Sequence, residues 1–194
     1  MLGVFPGKSQ TMLIDPHQAT LLVVDIQEKL IGAMSDAQGT RARARWLLAA
    51  CTDLALPIVI SEQYPKGLGH TLPELLAAAP AAEVVEKTHF SCVAAQCMPT
   101  SLLAREQVIV CGMETHVCVL QTVLGLLALG KQVFLVEDAC DSRTLANKAA
   151  GLARMRHAGA QIVTREMVLF ELMGSASHPQ FRHISKTYLV GEQP

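Results

Sequence analysis

The stretch VIVCGMETHVCV, spanning Val108–Val119, decides the fold. A β-branched run breaks at Gly112, and Cys118 follows at the point where a helical pattern begins. This order predicts a strand, a turn and then a helix, with a thiol at the N-terminus of the helix. The free amides and the dipole at that end favour an anion, so they are expected to lower the pKa of the thiol.

The same alternation of strand and helix runs along the chain. Apolar residues recur at helical spacing in three segments, two of which end near a glycine that is typical of a C-cap: Arg41–Leu56, Val117–Gly130 and Thr144–Gly159. Between them lie six predicted strands: Thr20–Ile26, Pro57–Ser61, Glu83–Glu86, Gln107–Met113, Gln132–Ala139 and Gln161–Thr164. Strands that read as nearly continuous Val, Ile and Leu are covered on both faces. We therefore expect an α/β protein with a three-layer α/β/α Rossmann-like fold and a six-stranded, mainly parallel sheet.

The length predicts one domain. A chain of 194 residues with 51% hydrophobic content can bury one large core, so residues 1–194 are expected to form a single domain. Near the C-terminus, Val168–Met173 reads as an amphipathic helix. Phe181–Val190 reads as a tail with alternating apolar residues, suited to docking on another subunit. The high apolar content favours a homo-oligomer.

Charge and composition exclude several kinds of partner. The net charge is −1 and there is no cluster of Lys and Arg, so nucleic acid is not expected as a partner. The sequence has no apolar run of membrane-spanning length, and its N-terminus lacks the pattern of a secretion signal. A cytoplasmic protein that binds a small molecule is the expectation, without a membrane partner.

The six cysteines show no CxxC pair and no His/Cys cluster at zinc spacing. Reduced thiols fit best, and most of them are expected to be small core residues, as Cys111 within a strand illustrates. No GxGxxG follows the first strand, so no dinucleotide cofactor is expected. The prediction is a protein with neither a metal nor a cofactor.

Three polar residues follow strands and should meet at one edge of the sheet. Asp25 interrupts the end of the first strand, Lys87 follows the third, and Cys118 follows the fourth. In an open sheet of this kind, ligands bind beyond the carboxyl ends of the strands. Each residue taken alone has a plainer reading: Asp25 as a turn or cap residue, Lys87 as a surface charge, and Cys118 as a buried thiol.

Together, these residues supply what a cysteine hydrolase needs. Asp25 can take the thiol proton and later return it to a leaving amine. Lys87 can hold the carboxylate and add positive potential that favours the thiolate. Cys118 can then attack a carbonyl and form a covalent intermediate that water hydrolyses. The backbone N–H groups of Glu114 and Cys118 are candidate donors for the oxyanion.

At this point the sequence resembles the isochorismatase-like cysteine hydrolase superfamily, which includes nicotinamidases, carbamoylsarcosine amidases and isochorismatases. The resemblance rests on Val24–Gln27, Glu86–Ser91 and Gly112–Val119, in that order, and spans nearly the whole chain. Glu62–Gly69 and Asp138–Arg143 are similar to the isochorismatase-domain-containing branch, whose members mostly lack an assigned substrate. The resemblance implies that Asp25, Lys87 and Cys118 form a catalytic triad. It also implies a cis peptide between Met113 and Glu114 and a homo-oligomer.

One segment departs from the family pattern. Nicotinamidases place an Asp and two His ligands for a metal after the second strand, where this chain has Ser61–His70 with one Glu and one His. That is not the metal-binding set, so a bound metal is not expected and nicotinamide becomes a less favoured substrate.

Candidates for substrate contact follow strand ends at the same edge: Gln27, Tyr64, Phe90 and His116. Each of two candidates has a purely structural alternative. Phe90 could pack in the core, and Gln27 could only form hydrogen bonds to neighbouring backbone. His116 is a rival base for the thiol, but its position two residues before Cys118 favours a side chain that points away from the sulfur. Glu62 would add a carboxylate near the mouth if its side chain pointed inward.

The sequence therefore predicts a cofactor-free hydrolase of a small amide or related carbonyl compound. Three alternatives stay open: isochorismatase-type hydrolysis of a vinyl ether, in which Asp25 would act as the acid, a non-catalytic binding or scaffold protein, and a redox-sensing thiol.

Overall fold

The computed structural model describes residues 13–190, so the predictions for the first twelve residues, and for the ends of the 1–194 domain, lie outside the described part. Within it, six strands form one sheet: β1 (Ala19–Val24), β2 (Ile58–Gln63), β3 (Glu83–Lys87), β4 (Gln107–Gly112), β5 (Gln132–Cys140) and β6 (Gln161–Val163). Their spatial order is β3-β2-β1-β4-β5-β6, and every neighbouring pair is parallel. The predicted α/β fold with a six-stranded sheet is confirmed.

The helices follow the strands in chain order. They are α1 (Glu28–Ile31), α2 (Ala37–Asp53), α3 (Pro65–Leu68), α4 (Pro73–Ala78), α5 (Thr100–Leu103), α6 (Leu120–Ala128), α7 (Leu145–His157), α8 (Arg165–Met173) and α9 (Phe181–Ile184), with π-helical turns at Thr115–Val119 and Ser185–Leu189. Helix α2 packs with α4 and α8, whereas α6 and α7 pack together. The two groups lie on opposite faces of the sheet and make three layers.

The central strands β1, β2 and β4 are buried along their whole length, as their apolar runs predict. Strand β3 lies at the edge of the sheet and is mostly exposed. The strand order reverses at β1, because β2 lies on one side of it and β4 on the other. A crevice at the carboxyl ends of such strands is the usual place for a ligand in this kind of fold.

The C-terminal segment differs from its prediction as an alternating tail. Phe181–Leu189 is helical, and the buried Ile184 and Tyr188 lie four residues apart on one face. Tyr188 packs edge-on against Trp46 of α2, with ring centroids 5.4 Å apart, and its carbonyl accepts a hydrogen bond from Trp46 Nε1 at 3.2 Å. The segment is therefore helical and packs on its own chain, because its apolar residues follow helical as well as alternating spacing. Its docking on another subunit stays a prediction. Within residues 13–190, no helix is both long and apolar enough to cross a membrane.

Candidate active site

The carboxyl ends of three neighbouring strands bring Asp25 and Lys87 together. Val24, the last residue of β1, pairs with Ser61 of β2, and Gln63 of β2 pairs with Lys87 of β3. Asp25 then leaves the sheet in the left-handed region with φ of 55°. Its N–H donates to the Ser61 carbonyl at 3.0 Å, which fixes the direction of its side chain.

The carboxylate of Asp25 is fully engaged by buried donors. Lys87 Nζ donates to Asp25 Oδ2 at 2.6 Å, and Ser61 Oγ donates to Asp25 Oδ1 at 2.7 Å. Lys87 Nζ also donates to Gln63 Oε1 at 2.7 Å. The ammonium therefore has a fixed place between two acceptors, and the carboxylate has a fixed plane.

Cys118 approaches this pair from the far side of β1. The turn at Thr115–Val119 follows β4, and it places the Cys118 thiol close enough to the Asp25 carboxylate for each group to shift the pKa of the other. Cys118 is 5% exposed. The structure thus brings Lys87, Asp25 and Cys118 together, which is the set that the sequence predicts.

Gly112 makes this approach possible. Its φ is 127°, and a Cβ at this position would lie 2.1 Å from the Val24 carbonyl oxygen. The same oxygen accepts the Met113 N–H at 2.8 Å. A glycine is therefore required where the end of β4 passes close to β1.

The electrostatics correct one prediction about the thiol. Burial raises the pKa of Cys118 well above its usual range, and the negative charge of Asp25 adds to this rise, while the opposing effect of Lys87 is smaller. The sequence predicted a lowered pKa from the helix N-terminus and from Lys87. Burial and a carboxylate in contact outweigh both influences, so Cys118 rests as a neutral thiol.

Asp25 itself has a raised pKa. Burial is the largest cause, and the charge and hydrogen bond of Lys87 oppose it. Burial disfavours a charge unless a partner compensates, and here the compensation by Lys87 is incomplete. Asp25 is thus a better proton acceptor than an exposed carboxylate, which is the property that a general base needs.

The peptide bond between Met113 and Glu114 is cis, as the family resemblance predicts. Within residues 13–190, no backbone carbonyl accepts the Glu114 N–H. The Glu114 side chain lies at the rim, where Arg143 Nε donates to its Oε2 at 3.1 Å. This leaves the Glu114 N–H available to a ligand, as the predicted oxyanion donor requires.

The four predicted contact residues separate into different roles. Gln27 is fully buried, and its amide donates to the carbonyls of Gln63 and Gly69 and accepts the Gln63 N–H. Those bonds satisfy the whole amide, so Gln27 holds the chain after β2 and is not placed to contact a substrate. His116 lies two residues before Cys118, and its Nδ1 is 3.0 Å from Ser142 Oγ. Its ring therefore points toward the loop after β5.

Tyr64 and Phe90 are both about half exposed near the carboxyl ends of β2 and β3. Tyr64 lines a cavity of about 380 Å³, together with Lys66, His89 and the backbone end of β3 at Lys87. Because the Lys87 side chain has no solvent exposure, this cavity lies outside the buried chain of polar groups. Tyr64 is thus placed at an opening beside the site, while the Phe90 ring lies on the surface and not in the core.

Glu62 turns away from the site. Its carboxylate accepts the Thr71 N–H at 2.7 Å and faces His70 Nδ1 at 2.9 Å. In the part of the chain that the structure describes, no group of three or more His, Cys, Asp or Glu residues is arranged to hold a metal ion.

Sequence reasoning missed the residues that support the three reactive groups. Ser61 and Gln63 bind Asp25 and Lys87 but look like ordinary polar residues at the end of a strand. Asp141 stands out in the sequence only through the family resemblance, although its carbonyl accepts hydrogen bonds from both the N–H and the Oγ1 hydroxyl of Thr115 at 2.8 Å. These bonds fix the start of the turn that carries Cys118. A polar residue at the carboxyl end of each central strand was the signal that could have found them.

The fold and this site place the chain in a class of α/β proteins that bury an aspartate, a lysine and a cysteine at the carboxyl edge of a parallel sheet. The sequence matches the isochorismatase domain over residues 19–167. Isochorismatase domain-containing protein 2 of Bos taurus is 42% identical over 174 residues, which cover 88% of this chain and 83% of that protein. The chain therefore belongs to the isochorismatase family, and it is a hydrolase of that family.

Solved structures agree with this assignment. MAR1 ribonuclease from Caenorhabditis elegans superimposes with a TM-score of 0.86 at 35% identity, covering 94% of this chain and 95% of that chain. YcaC from Pseudomonas aeruginosa, solved with hexane-2,5-diol and covalent acrylamide, has a TM-score of 0.82 at 25% identity and covers 94% of both chains. The α/β architecture is thus shared over nearly the full length of both proteins.

Proposed function

We propose that the protein is a cofactor-free cysteine hydrolase of a small amide or related carbonyl compound. The observation that carries this proposal is the buried Lys87–Asp25 hydrogen bond with the Cys118 thiol beside the carboxylate. A thiol in contact with a carboxylate of raised pKa has a base ready to take its proton. The available Glu114 N–H supports a donor for the oxyanion at the same edge.

The first half-reaction forms an acyl-enzyme. Asp25 takes the thiol proton as the Cys118 sulfur attacks the carbonyl carbon, and the carbonyl π electrons move to the oxygen. The N–H groups of Glu114 and Cys118 stabilise the resulting oxyanion. The intermediate then collapses, the C–N bond breaks, and Asp25 returns its proton to the leaving nitrogen. The products are a thioester on Cys118 and a free amine or ammonia.

The second half-reaction restores the enzyme. Asp25 takes a proton from water while the water oxygen attacks the thioester carbonyl. The C–S bond breaks, the acid product leaves, and the sulfur receives the proton back from Asp25. Throughout the cycle Lys87 keeps its charge beside the carboxylate, so it limits the cost of each charge that forms in the buried site.

One comparison supports a small, uncharged electrophilic substrate. The related Pseudomonas aeruginosa structure holds covalent acrylamide, a small amide with an electrophilic carbon. Acrylamide is therefore a suitable first probe of the Cys118 thiol.

A second candidate is vinyl ether hydrolysis of the isochorismatase type. The raised pKa of Asp25 favours it, because a larger share of the carboxyl is protonated near neutral pH, as a general acid has to be. In that reaction Asp25 protonates the vinyl carbon and water completes the hydrolysis, so the thiol is not a nucleophile. Activity that survives Cys118→Ser would favour this route.

Cleavage of RNA, which the name of the Caenorhabditis elegans relative suggests for that protein, lacks support in this chain. A net charge of −1 and the absence of a basic cluster in the sequence provide no electrostatic attraction for a polyanion. A short RNA belongs in the assay as a comparison substrate, and we expect no cleavage.

We also propose a cytoplasmic homo-oligomer. Six cysteines without a disulfide among the described residues suit a reducing compartment. Exposed Tyr64, Val84 and Phe90 near the β3 edge of the sheet support association between copies. Light scattering during size-exclusion chromatography would test the assembly, and a monomer would contradict it.

The experiment for the main proposal measures ammonia release from a panel of small aliphatic and aromatic amides. We expect turnover by the unmodified protein and its loss in Cys118→Ser, with an acyl adduct on Cys118 by mass spectrometry. Cys51→Ala is the matched control, because Cys51 is buried in α2 and is a free thiol like Cys118. No ammonia from any amide, together with full turnover of a vinyl ether by Cys118→Ser, would replace the proposal with the second candidate.

A further inference from the structure

A pair of thiols lies close to the candidate active site. In the loop after β3, the backbone N and Sγ of Cys97 lie 3.4 and 3.6 Å from the carbonyl oxygen of Cys92. Each thiol also shifts the pKa of the other, because Cys97 lowers the pKa of Cys92 and Cys92 raises the pKa of Cys97. Both are free cysteines, and the proposed hydrolysis uses neither of them.

The loop holds the two thiols together by its own hydrogen bonds. Ser91 Oγ accepts the N–H groups of Val93 and Ala94, both at 3.2 Å. Gln96 then adopts a φ of 53°, which reverses the chain and brings Cys97 back to Cys92. The juxtaposition is therefore a property of the loop backbone and not of two side chains that meet by chance.

Cys92 connects this pair to the site. Its N–H donates to Thr122 Oγ1 of α6 at 3.1 Å, and Ser61, the residue that donates to Asp25, is near enough to lower the pKa of the Cys92 thiol. Cys92 has no solvent exposure, whereas Cys97 is partly exposed. A reagent from solvent can thus reach one sulfur of the pair, and the other sulfur lies next to the catalytic groups.

We propose that Cys92 and Cys97 are an oxidation-sensitive dithiol that closes to a disulfide beside the active site. The proposal goes beyond the hydrolase function and holds whether or not Cys118 is a nucleophile. It rests on the contact between two free thiols, on the loop that enforces it, and on the access of solvent to Cys97. The oxidant is a small peroxide.

The reaction balances in two steps. Cys97 passes its proton to a hydroxyl of the peroxide while its sulfur attacks the other oxygen, the O–O bond breaks, and the products are a sulfenic acid and water. The Cys92 sulfur then attacks the Cys97 sulfur, the S–O bond breaks, and the leaving hydroxide takes the Cys92 proton to form a second water. The two sulfurs lose two electrons in total, and the peroxide gains them.

The charges at the site connect the dithiol to Cys118. A hydrogen bond from Cys97 lowers the pKa of Cys92, burial opposes this effect, and the charge of Lys87 adds to the lowering. An ionised Cys92 in turn raises the pKa of Cys118. A disulfide carries no charge, so oxidation removes this influence and makes ionisation of Cys118 easier.

The test treats the full chain with hydrogen peroxide at a dose that leaves Cys118 reduced. Remaining thiols are then alkylated under denaturing conditions and the chain is digested with trypsin. Thr88–Arg105 forms one tryptic peptide that contains both cysteines of the pair and no other. We expect this peptide to lose the mass of two hydrogens and to resist alkylation until a reductant is added.

Two variants make the result specific. Cys97→Ser is expected to abolish the loss of two hydrogens, and Cys51→Ala is expected to leave it unchanged. Full alkylation of both Cys92 and Cys97 after peroxide, or a crosslink from Cys92 to Cys118, would overturn the proposal. Failure of the amide assay would not affect this result, because the readout is a mass.

The effect on the site is measured as the rate at which iodoacetamide alkylates Cys118 near neutral pH. We expect the oxidised protein to react about two- to tenfold faster than the reduced protein. The increase should disappear on reduction and be absent in Cys97→Ser. An unchanged rate in a protein that carries the mapped disulfide would overturn the connection between the dithiol and the site.

Discussion

Lys87 Nζ lies 2.6 Å from Asp25 Oδ2, and neither side chain has any surface exposed to solvent. Each charge needs the other, because removing one partner of a buried pair leaves an uncompensated charge in a low-dielectric interior. We expect Lys87→Met to lower the free energy of unfolding by about 3 to 5 kcal/mol. Urea denaturation followed by circular dichroism would measure this loss.

The double variant Asp25→Asn/Lys87→Met serves as its control. It removes both charges, so we expect it to recover most of the stability that Lys87→Met loses. It should remain inactive, because the proton acceptor is gone. A double variant as unstable as Lys87→Met would show that the pair is not the source of the loss.

The pH dependence of Cys118 alkylation follows from the raised pKa of its thiol. A thiol with a raised pKa stays protonated at neutral pH, so its alkylation is slow there and continues to accelerate above about pH 8.5, the range of a free thiol. Asp25→Asn removes the carboxylate that contributes to the rise, and we expect its alkylation profile to shift to lower pH. A rate that already levels off below pH 7 in the unmodified protein would mean that Cys118 rests as a thiolate.

Gly112→Ala should be far more damaging than Gly130→Ala. A Cβ at Gly112 meets the Val24 carbonyl at 2.1 Å, whereas a Cβ at Gly130 has open space around it. An alanine costs about 1 kcal/mol of backbone strain at Gly130, where φ is 78°, and at least as much at Gly112, where φ is 127°. The difference between their melting temperatures reports the close approach of β4 to β1 together with any additional strain at Gly112. Equal losses in the two variants would contradict this account of Gly112.

Asp141 is expected to stabilise the turn that carries Cys118. Its carboxylate accepts hydrogen bonds from Ser35 Oγ, Thr40 Oγ1 and the N–H groups of Asp36 and Ser142. We expect Asp141→Asn to cost about 2 to 3 kcal/mol and Ser35→Ala about 1 kcal/mol, because the first change turns an acceptor into a donor. A chemical denaturation curve for each variant would measure the costs, and equal costs would contradict the assignment.

The same carboxylate predicts a loss of stability in acid. Burial raises the pKa of Asp141, but hydrogen bonds from Ser35, Asp36 and Ser142 outweigh burial and hold the pKa below its usual value. A carboxyl with a folded-state pKa below its unfolded value stabilises the fold fully above the unfolded value. That contribution is lost as the pH falls through the lower, folded-state value. In Asp141→Asn the drop in stability below about pH 4 should therefore be smaller.

The fold was predictable because its strands are apolar runs with clear ends. All six strands begin and end within two residues of their predicted bounds. Burial on both faces leaves a continuous apolar signal in β1, β2 and β4. The tail at Phe181–Leu189 was misread because its apolar residues satisfy two periods at once. In the helical form, Tyr188 packs against Trp46, and this contact between distant residues is not visible in the local sequence.

The reactive groups of the site were predictable from the sequence, but the residues that hold them in place by hydrogen bonds were not. Asp25, Lys87 and Cys118 interrupt or end apolar strands, so their positions stand out in the sequence. Gln27 stands out in the same way, yet its amide is used by the backbone of Gln63 and Gly69, which only the fold brings near. The sequence predicts a lowered pKa for Cys118, and the structure raises it. The direction was wrong because the burial of Cys118 and its closeness to Asp25 depend on residues distant in sequence.

The central claim is that Cys118 is the nucleophile and Asp25 its base. The most direct measurement is mass spectrometry of the intact protein, quenched during turnover of an amide substrate. We predict an adduct of one acyl group on Cys118 in the unmodified protein, no adduct in Cys118→Ser, and a rate of adduct formation about 100-fold lower in Asp25→Asn. Turnover of the amide without any adduct on Cys118, or at an undiminished rate in Cys118→Ser, would contradict the account.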